Sequence, residues 1–347
     1  MKKSRVAWVD IAKGICILAV VMMYAVERVD RLPGPGGDWL GLWVAFARPF
    51  RMPDFFLISG LFLSRVIDRP WRGYLDKKAL HYLYFFSVWS LIYFPFLECL
   101  KERPASAAAA LLDLARMVYD PYAMLWFIQM LSIYFVAVKL LRRVPAWVIL
   151  PLALLWQAHP THMGWPQLDR IGERFIYFYA GFAFAPRFFR LAELAQERPW
   201  TALFGLLSWA GVNGALVGHG VADMPGLGAA LGLLGAAAVI TVSSLLSGSR
   251  PGVWLSALGE RSIVIYLSFL LPLNAFILIL TRRGWTGDRG WAALGLSAAS
   301  VGLALLASRL TRGTPLRFLF ERPAWATLEE RPAGPAGAGA FSAAPAS

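Results

Sequence analysis

Residues Leu40–Leu63 read LGLWVAFARPFRMPDFFLISGLFL. The run is apolar and exceeds the roughly 20 residues that a helix needs to cross a bilayer. Yet Arg48, Arg51 and Asp54 follow one another at spacings of three near its middle. Pro49 and Pro53 each remove a backbone donor. A broken helix with two arginines at that depth is tolerated only against protein or a water-filled cavity. Two guanidinium groups so placed suit a phosphate or a carboxylate. A structural Arg–Asp pair is the plainer alternative.

The whole chain supports a membrane reading of that stretch. Of 347 residues, 58% are hydrophobic and 16% charged, against about 45–50% and 25% in a soluble domain. The net charge is +13, but the polar surface of a soluble nucleic-acid binder is missing. Two cysteines, Cys16 and Cys99, exclude a disulfide framework and a Cys-ligated metal site. No metal is expected. Ten stretches read as spanning helices, at roughly 7–27, 40–63, 80–98, 122–140, 145–159, 173–189, 200–218, 226–247, 255–280 and 290–308. The first reads as an uncleaved span, because Glu27 and Arg28 stand where a signal peptide would end in small residues. With both termini in the cytosol, the cytosolic segments carry the whole excess of +13. Arg65, Arg69, Arg72, Lys77 and Lys78 fall in one such loop, and Lys139, Arg142 and Arg143 in another. The fold class is thus all-α and integral to the membrane. Residues 1–312 form the polytopic domain, and 313–347 a basic, then Ala/Pro/Gly-rich cytosolic tail, largely disordered.

Ionisable groups left inside spans are the site candidates. Asp10 and Lys13 share a face of the first span, and Tyr24 lies on that face about 16 Å further along the axis. The pair also reads as an interfacial, snorkelling one, and Tyr24 as a belt residue. Glu260 and Arg261 suggest a bend in the ninth span, with Ser262 beyond it and Asn274 deeper. Trp126 and Gln129 stand out in the fourth, where Gln129 is expected to bridge helices. His159, His162 and His219 read as outer-face and His81 as inner-face residues, none central to a span.

Several motifs resemble those of the family-3 membrane acyltransferases. They are Arg5 with Trp8-Val9-Asp10-x-Ala12-Lys13-Gly14; Arg51-Met52-Pro53-Asp54-Phe55-Phe56-Leu57-Ile58-Ser59-Gly60; Leu125-Trp126-Phe127; Glu173 through Gly181; and Gly259-x-x-Ser262-Ile263-Val264-Ile265-Tyr266-Leu267. The resemblance covers roughly 5–280 and rests on the ordered set. It implies an O-acyltransferase of a bacterial-type inner membrane. Such an enzyme moves an acyl group, typically acetyl from cytosolic acetyl-CoA, onto a hydroxyl of an envelope or surface glycan or glycolipid. The implied partners are acyl-CoA, the acceptor and the bilayer, with no nucleic acid. The family pattern places an Arg in the first span and a His after ten intervening residues. Lys13 and Tyr24 hold those positions here. Lys keeps the charge without the bidentate fork. A phenol titrates near 10 and imidazole near 6.5, so Tyr24 is a poor base at neutral pH. Arg28, one turn beyond, favours its ionisation. Three explanations follow: a base from His159, His162 or His219, an activated Tyr24, or a degenerate member that binds or moves a glycan or lipid without turnover. The expected roles are Tyr24, Lys13 and Asp10 in catalysis, Arg48, Arg51 and Trp126 on the donor, and Glu173, Arg174 and Ser262 on the acceptor.

Overall fold

The structure is a computed structural model and describes residues 6–33, 39–100, 106–122, 124–159 and 166–328. Among these residues the regular structure is entirely helical, with no strand. The first helix, α1 (Ala7–Val29), is about 35 Å long at 1.5 Å per residue. It packs against α3 (Arg51–Leu61), α12 (Leu227–Leu245), α13 (Arg250–Gly259) and α16 (Arg289–Leu310).

Glycines set the closest of these crossings. A Cβ on Gly14 would overlap the Leu255 carbonyl, and one on Gly259 the Asp10 carbonyl. Between α3 and α9 (Pro166–Ala183), Gly60 and Gly181 meet in the same way. In lipid the tails are as apolar as leucine, so association comes from such close packing.

Among the described residues, five helices are long and apolar enough to cross a membrane, by length and composition. They are α1, the stretch Trp71–Phe96, α11 (Pro199–Gly218), α12 and α16. A sixth forms if α14 (Ser262–Ser268) and α15 (Leu270–Arg282) count as one span bent by 41°. The outer surface fits this use. Trp200, Phe204 and Leu207 on α11 are 82%, 73% and 65% exposed, a patch that water would not tolerate.

The other expected spans are shorter or broken. The quoted stretch 40–63 divides into α2 (Trp39–Ala47) and α3, parted at residues 48–50 as the prolines require. The carbonyls near the break find side-chain donors. Arg51 Nη1 donates to Val44 O at 3.2 Å, and Asn213 Nδ2 to Phe46 O at 2.9 Å. Helices α7 (Trp126–Leu140) and α8 (Ala146–Ala158) have 15 and 13 residues. The sixth stretch, expected at 173–189, is shifted: α9 ends at Ala183, and α10 (Ala185–Glu197) begins with Pro186 in its first turn. The ninth bends at Glu260 and Arg261, which link α13 to α14.

Candidate functional site

A cavity of about 950 Å³ opens beside the N-terminal half of α1. Helix α1 contributes Asp10 and Lys13, held together by an ion pair of 3.3 Å. Phe55 and Ser59 come from α3, Phe127 and Leu131 from α7, and Glu260, Ser262 and Tyr266 from the α13–α14 bend. That bend is what the Gly259–Ser262 segment supplies. Close approach at Gly259 seats it on α1, and the helix then restarts at Ser262 with Tyr266 facing the cavity.

Three further cationic or titratable groups face the same space: Arg65, Lys78 and His81. Their backbone is fixed from below. Lys139 is 1% exposed and donates to the carbonyls of Ile67 and Arg69 at 2.5 and 2.7 Å. Its ammonium also lies 4.3 Å from the Tyr74 ring centroid, close enough for a cation–π contact. Arg65 stands 5.3 and 5.5 Å from the ring centroids of Phe62 and Phe189. A buried lysine spent on two carbonyls is a structural clamp, and it holds the basic loop at the cavity.

Aromatic rings close the other end. Phe127 and Tyr266 lie 5.5 Å apart. Tyr93 donates to Leu267 O at 2.8 Å, and its ring is 5.9 Å from that of Tyr122. Tyr24 is half-buried, 5.5 Å from Phe269, and outside the cavity lining. A second pocket of about 500 Å³ is lined by Asp120, Tyr122, Trp126, Arg170 and Arg174. The consecutive residues Trp126 and Phe127 thus face different cavities. In the second pocket Arg174 pairs with Glu173 at 2.5 Å and lies 4.9 Å over the Trp126 ring. Arg170 pairs with Asp120 at 3.3 Å.

The sequence candidates therefore separate into groups. Asp10, Lys13 and Ser262 share the large cavity. Trp126 and Arg174 share the small pocket, with Glu173 paired to Arg174. Arg48 and Arg51 line neither. Arg48 pairs with the exposed Asp223. Arg51 lies among the ionisable groups Glu27, Arg48, Tyr24 and Arg174, beside the C-terminal half of α1. Asp54, 1% exposed, meets the Cys16 thiol at 3.8 Å rather than either arginine. Gln129 joins helices as expected: it accepts from Gln167 at 2.6 Å and donates to Val118 O. His159 and His219 cap the ends of α8 and α11, and His162 lies outside the described residues. His81 is the cavity-lining histidine among the described ones. Arg65 and Lys78 read as topology signals in the sequence, and His81 as an inner-face residue. No group of three metal-ligating side chains occurs among the described residues.

A helical bundle with several apolar spans and a charged cavity against its first helix defines a membrane protein. The family model described as an acyltransferase domain matches residues 6–309, and the chain belongs to that family, the family-3 membrane acyltransferases. Over 85 residues it is 36% identical to the inner membrane protein YcfT of Escherichia coli (strain K12), a match spanning 22% of this chain and 24% of that protein. No solved structure matches the chain.

Proposed function

We propose that the protein is an O-acyltransferase that takes an acyl group, acetyl in the first instance, from acyl-CoA at the cytosolic side. The acceptor is a hydroxyl of an envelope or surface glycan. In this reading the shorter helices α2/α3, α7, α8 and α9 complete ten crossings of a bacterial-type inner membrane, with both termini cytosolic. The observation that carries it is the cavity. Its volume of about 950 Å³ joins the cations Lys13, Arg65 and Lys78 to an apolar wall of Phe55, Phe127 and Leu131. A CoA thioester has that polarity, with phosphates at one end and an acyl-pantetheine arm at the other. The donor phosphates are therefore assigned to Lys13, Arg65 and Lys78, in place of Arg48 and Arg51, which line neither cavity and contact Asp223 and a backbone carbonyl.

The small pocket suits the acceptor. Trp126 and Tyr122 offer ring faces, and Asp120, Arg170 and Arg174 offer acceptors and donors for sugar hydroxyls. Glu173 orients Arg174. Between the two pockets, Tyr266 lines the cavity and Tyr24 stands near it. In the transfer the acceptor oxygen bonds to the acyl carbon, the C–S bond breaks, and the acceptor proton ends on the CoA sulfur. A phenol such as Tyr24 is too weak a base to hold that proton as an imidazole would, so its part is to relay it, donating one proton as it accepts another. Asp10 holds Lys13 toward the donor.

Labelled acetyl transfer from acetyl-CoA to membrane glycans, with and without the gene, tests the reading. Label that depends on the gene and falls in Tyr24→Phe supports it. Binding of acetyl-CoA without turnover, converted to turnover by Tyr24→His, would establish the second reading, a binding member of the family. The substitution of Tyr for the family's His is the observation that favours that alternative.

A further inference from the structure

The family match ends at residue 309, yet the chain beyond it packs against the helical run that carries Lys78 and His81. Two 3₁₀ turns, Pro315–Leu319 and Ala324–Ala326, follow α16. They run along α5 (His81–Leu100), where the Tyr84 hydroxyl donates to Phe318 O at 3.0 Å and the Trp89 indole to Leu319 O at 2.9 Å. The contact ends in an ion pair between residues 246 apart in sequence: Arg322 Nη2 lies 2.5 Å from Asp76 Oδ1. Arg322 Nη1 donates to the Asp76 carbonyl at 2.5 Å, and the Leu328 amide donates to Asp76 Oδ1 at 2.7 Å. The two side chains are 6% and 5% exposed.

Asp76 opens a π turn, Asp76–Leu80, inside the helical run that starts at Trp71. One extra residue in a helix rotates everything after it by about 100° around the axis. The turn therefore decides which face of α5 meets the cavity. Lys78 within it and His81 immediately after it both line that space. A π turn is rare beside the α-helix and occurs mostly as a single-turn bulge, often at a functional site. Arg322 contacts both the carboxylate and the carbonyl of its first residue. A buried ion pair contributes little net stability, and its better-attested use is to fix one geometry.

We propose that the Arg322–Asp76 pair is a positioning device for the donor, holding the π turn so that Lys78 and His81 face the phosphates of acyl-CoA. The proposal rests on the donor reading of the cavity given above. Arg322 itself does not line the cavity; it acts through the turn. The segment that follows the acyltransferase domain thus acts on the donor site from outside it.

The test is titration of full-length protein in nanodiscs with CoA and, separately, with S-acetylpantetheine, which lacks the nucleotide phosphates. Arg322→Ala and Asp76→Asn are expected to weaken CoA binding on the order of tenfold, the scale of one charge-assisted contact. S-acetylpantetheine binding should stay unchanged. Arg322→Lys, which keeps charge but not the fork, should fall between. The exchanged pair Asp76→Arg with Arg322→Asp should recover part of the CoA affinity. Unchanged CoA binding in Arg322→Ala and Asp76→Asn, with a clear loss in Lys78→Ala, would overturn the latch while leaving the donor reading standing. Equal loss of both ligands in every variant, Arg322→Lys included, would reduce the pair to a structural role and also overturn it. Wild-type protein that does not bind CoA would remove the donor reading, and the latch with it.

Discussion

Two regions of this molecule gather cations, and they use them in opposite ways. At the break between α2 and α3, Arg48 and Arg51 are consumed locally, one by Asp223 and one by the Val44 carbonyl that the break leaves over. At the cavity mouth, Lys13, Arg65 and Lys78 face an open volume, while other residues hold the backbone beneath them. Lys139 clamps the loop at Ile67 and Arg69, and Arg322 clamps the π turn at Asp76. A charge that repairs broken backbone is part of the scaffold. A charge whose backbone is held by other residues can face a cavity even while it is paired, as Lys13 is with Asp10.

The largest effect that would break this comparison is on donor affinity. Arg65→Glu with Lys78→Glu reverses two charges at the mouth, and acetyl-CoA binding by titration should weaken about 100-fold or more. If Arg48→Glu with Arg51→Glu did the same to a protein that still folds, the roles of the two regions would be reversed. Next in size is Tyr24→Phe. Loss of a positioned proton relay costs roughly 10²-fold in turnover, so kcat should fall by that order while the affinity for acetyl-CoA stays level. A change confined to affinity would place Tyr24 among the binding groups instead.

The contrast explains what the sequence could and could not convey. Apolar length marked the five long helices, and the two prolines with two arginines marked the break at 48–50. Glu260 and Arg261 marked the bend that precedes Tyr266. The ion pair of Asp10 and Lys13 followed from a spacing of three. The partners of Arg48 and Asp76 did not follow, because each lies more than 170 residues away along the chain. Two arginines near mid-span look the same in sequence whether they await a phosphate or cap a carbonyl. The Val44 carbonyl and Asp223, with which they pair, are invisible in that pattern. Arg65 and Lys78 were masked for the converse reason: basic residues beside a span are expected for orientation alone. The π turn has no residue signature, and it is what turns Lys78 and His81 toward the cavity.

Smaller effects sharpen the scaffold side. Arg51→Met removes the donor to Val44 O while keeping much of the side-chain volume. Among the described residues Arg51 Nε has no hydrogen-bond partner, so one hydrogen bond is lost and one orphan donor with it. The expected cost is about 1 kcal/mol for the lost bond to a partly buried carbonyl, read as a lower midpoint in thermal unfolding, with CoA affinity unchanged. An affinity loss larger than the stability loss would bring Arg51 back as a donor ligand.

Arg48→Ala should do least. Its side chain is 53% exposed and that of Asp223 is 66% exposed, and pairs so placed contribute about 0–1 kcal/mol. Asp223→Ala should match it, and the double variant should equal either single one, because each removes the same single contact. The cycle also isolates the question that the broken helix poses. If Arg48→Ala lowered acetyl transfer while Asp223→Ala left it intact, Arg48 would be acting on something other than Asp223, and the acceptor's path past the α2–α3 break would be the place to look. Equal, small effects would leave that break as a repaired interruption in the scaffold, with ligand charge handled at the opposite end of α1.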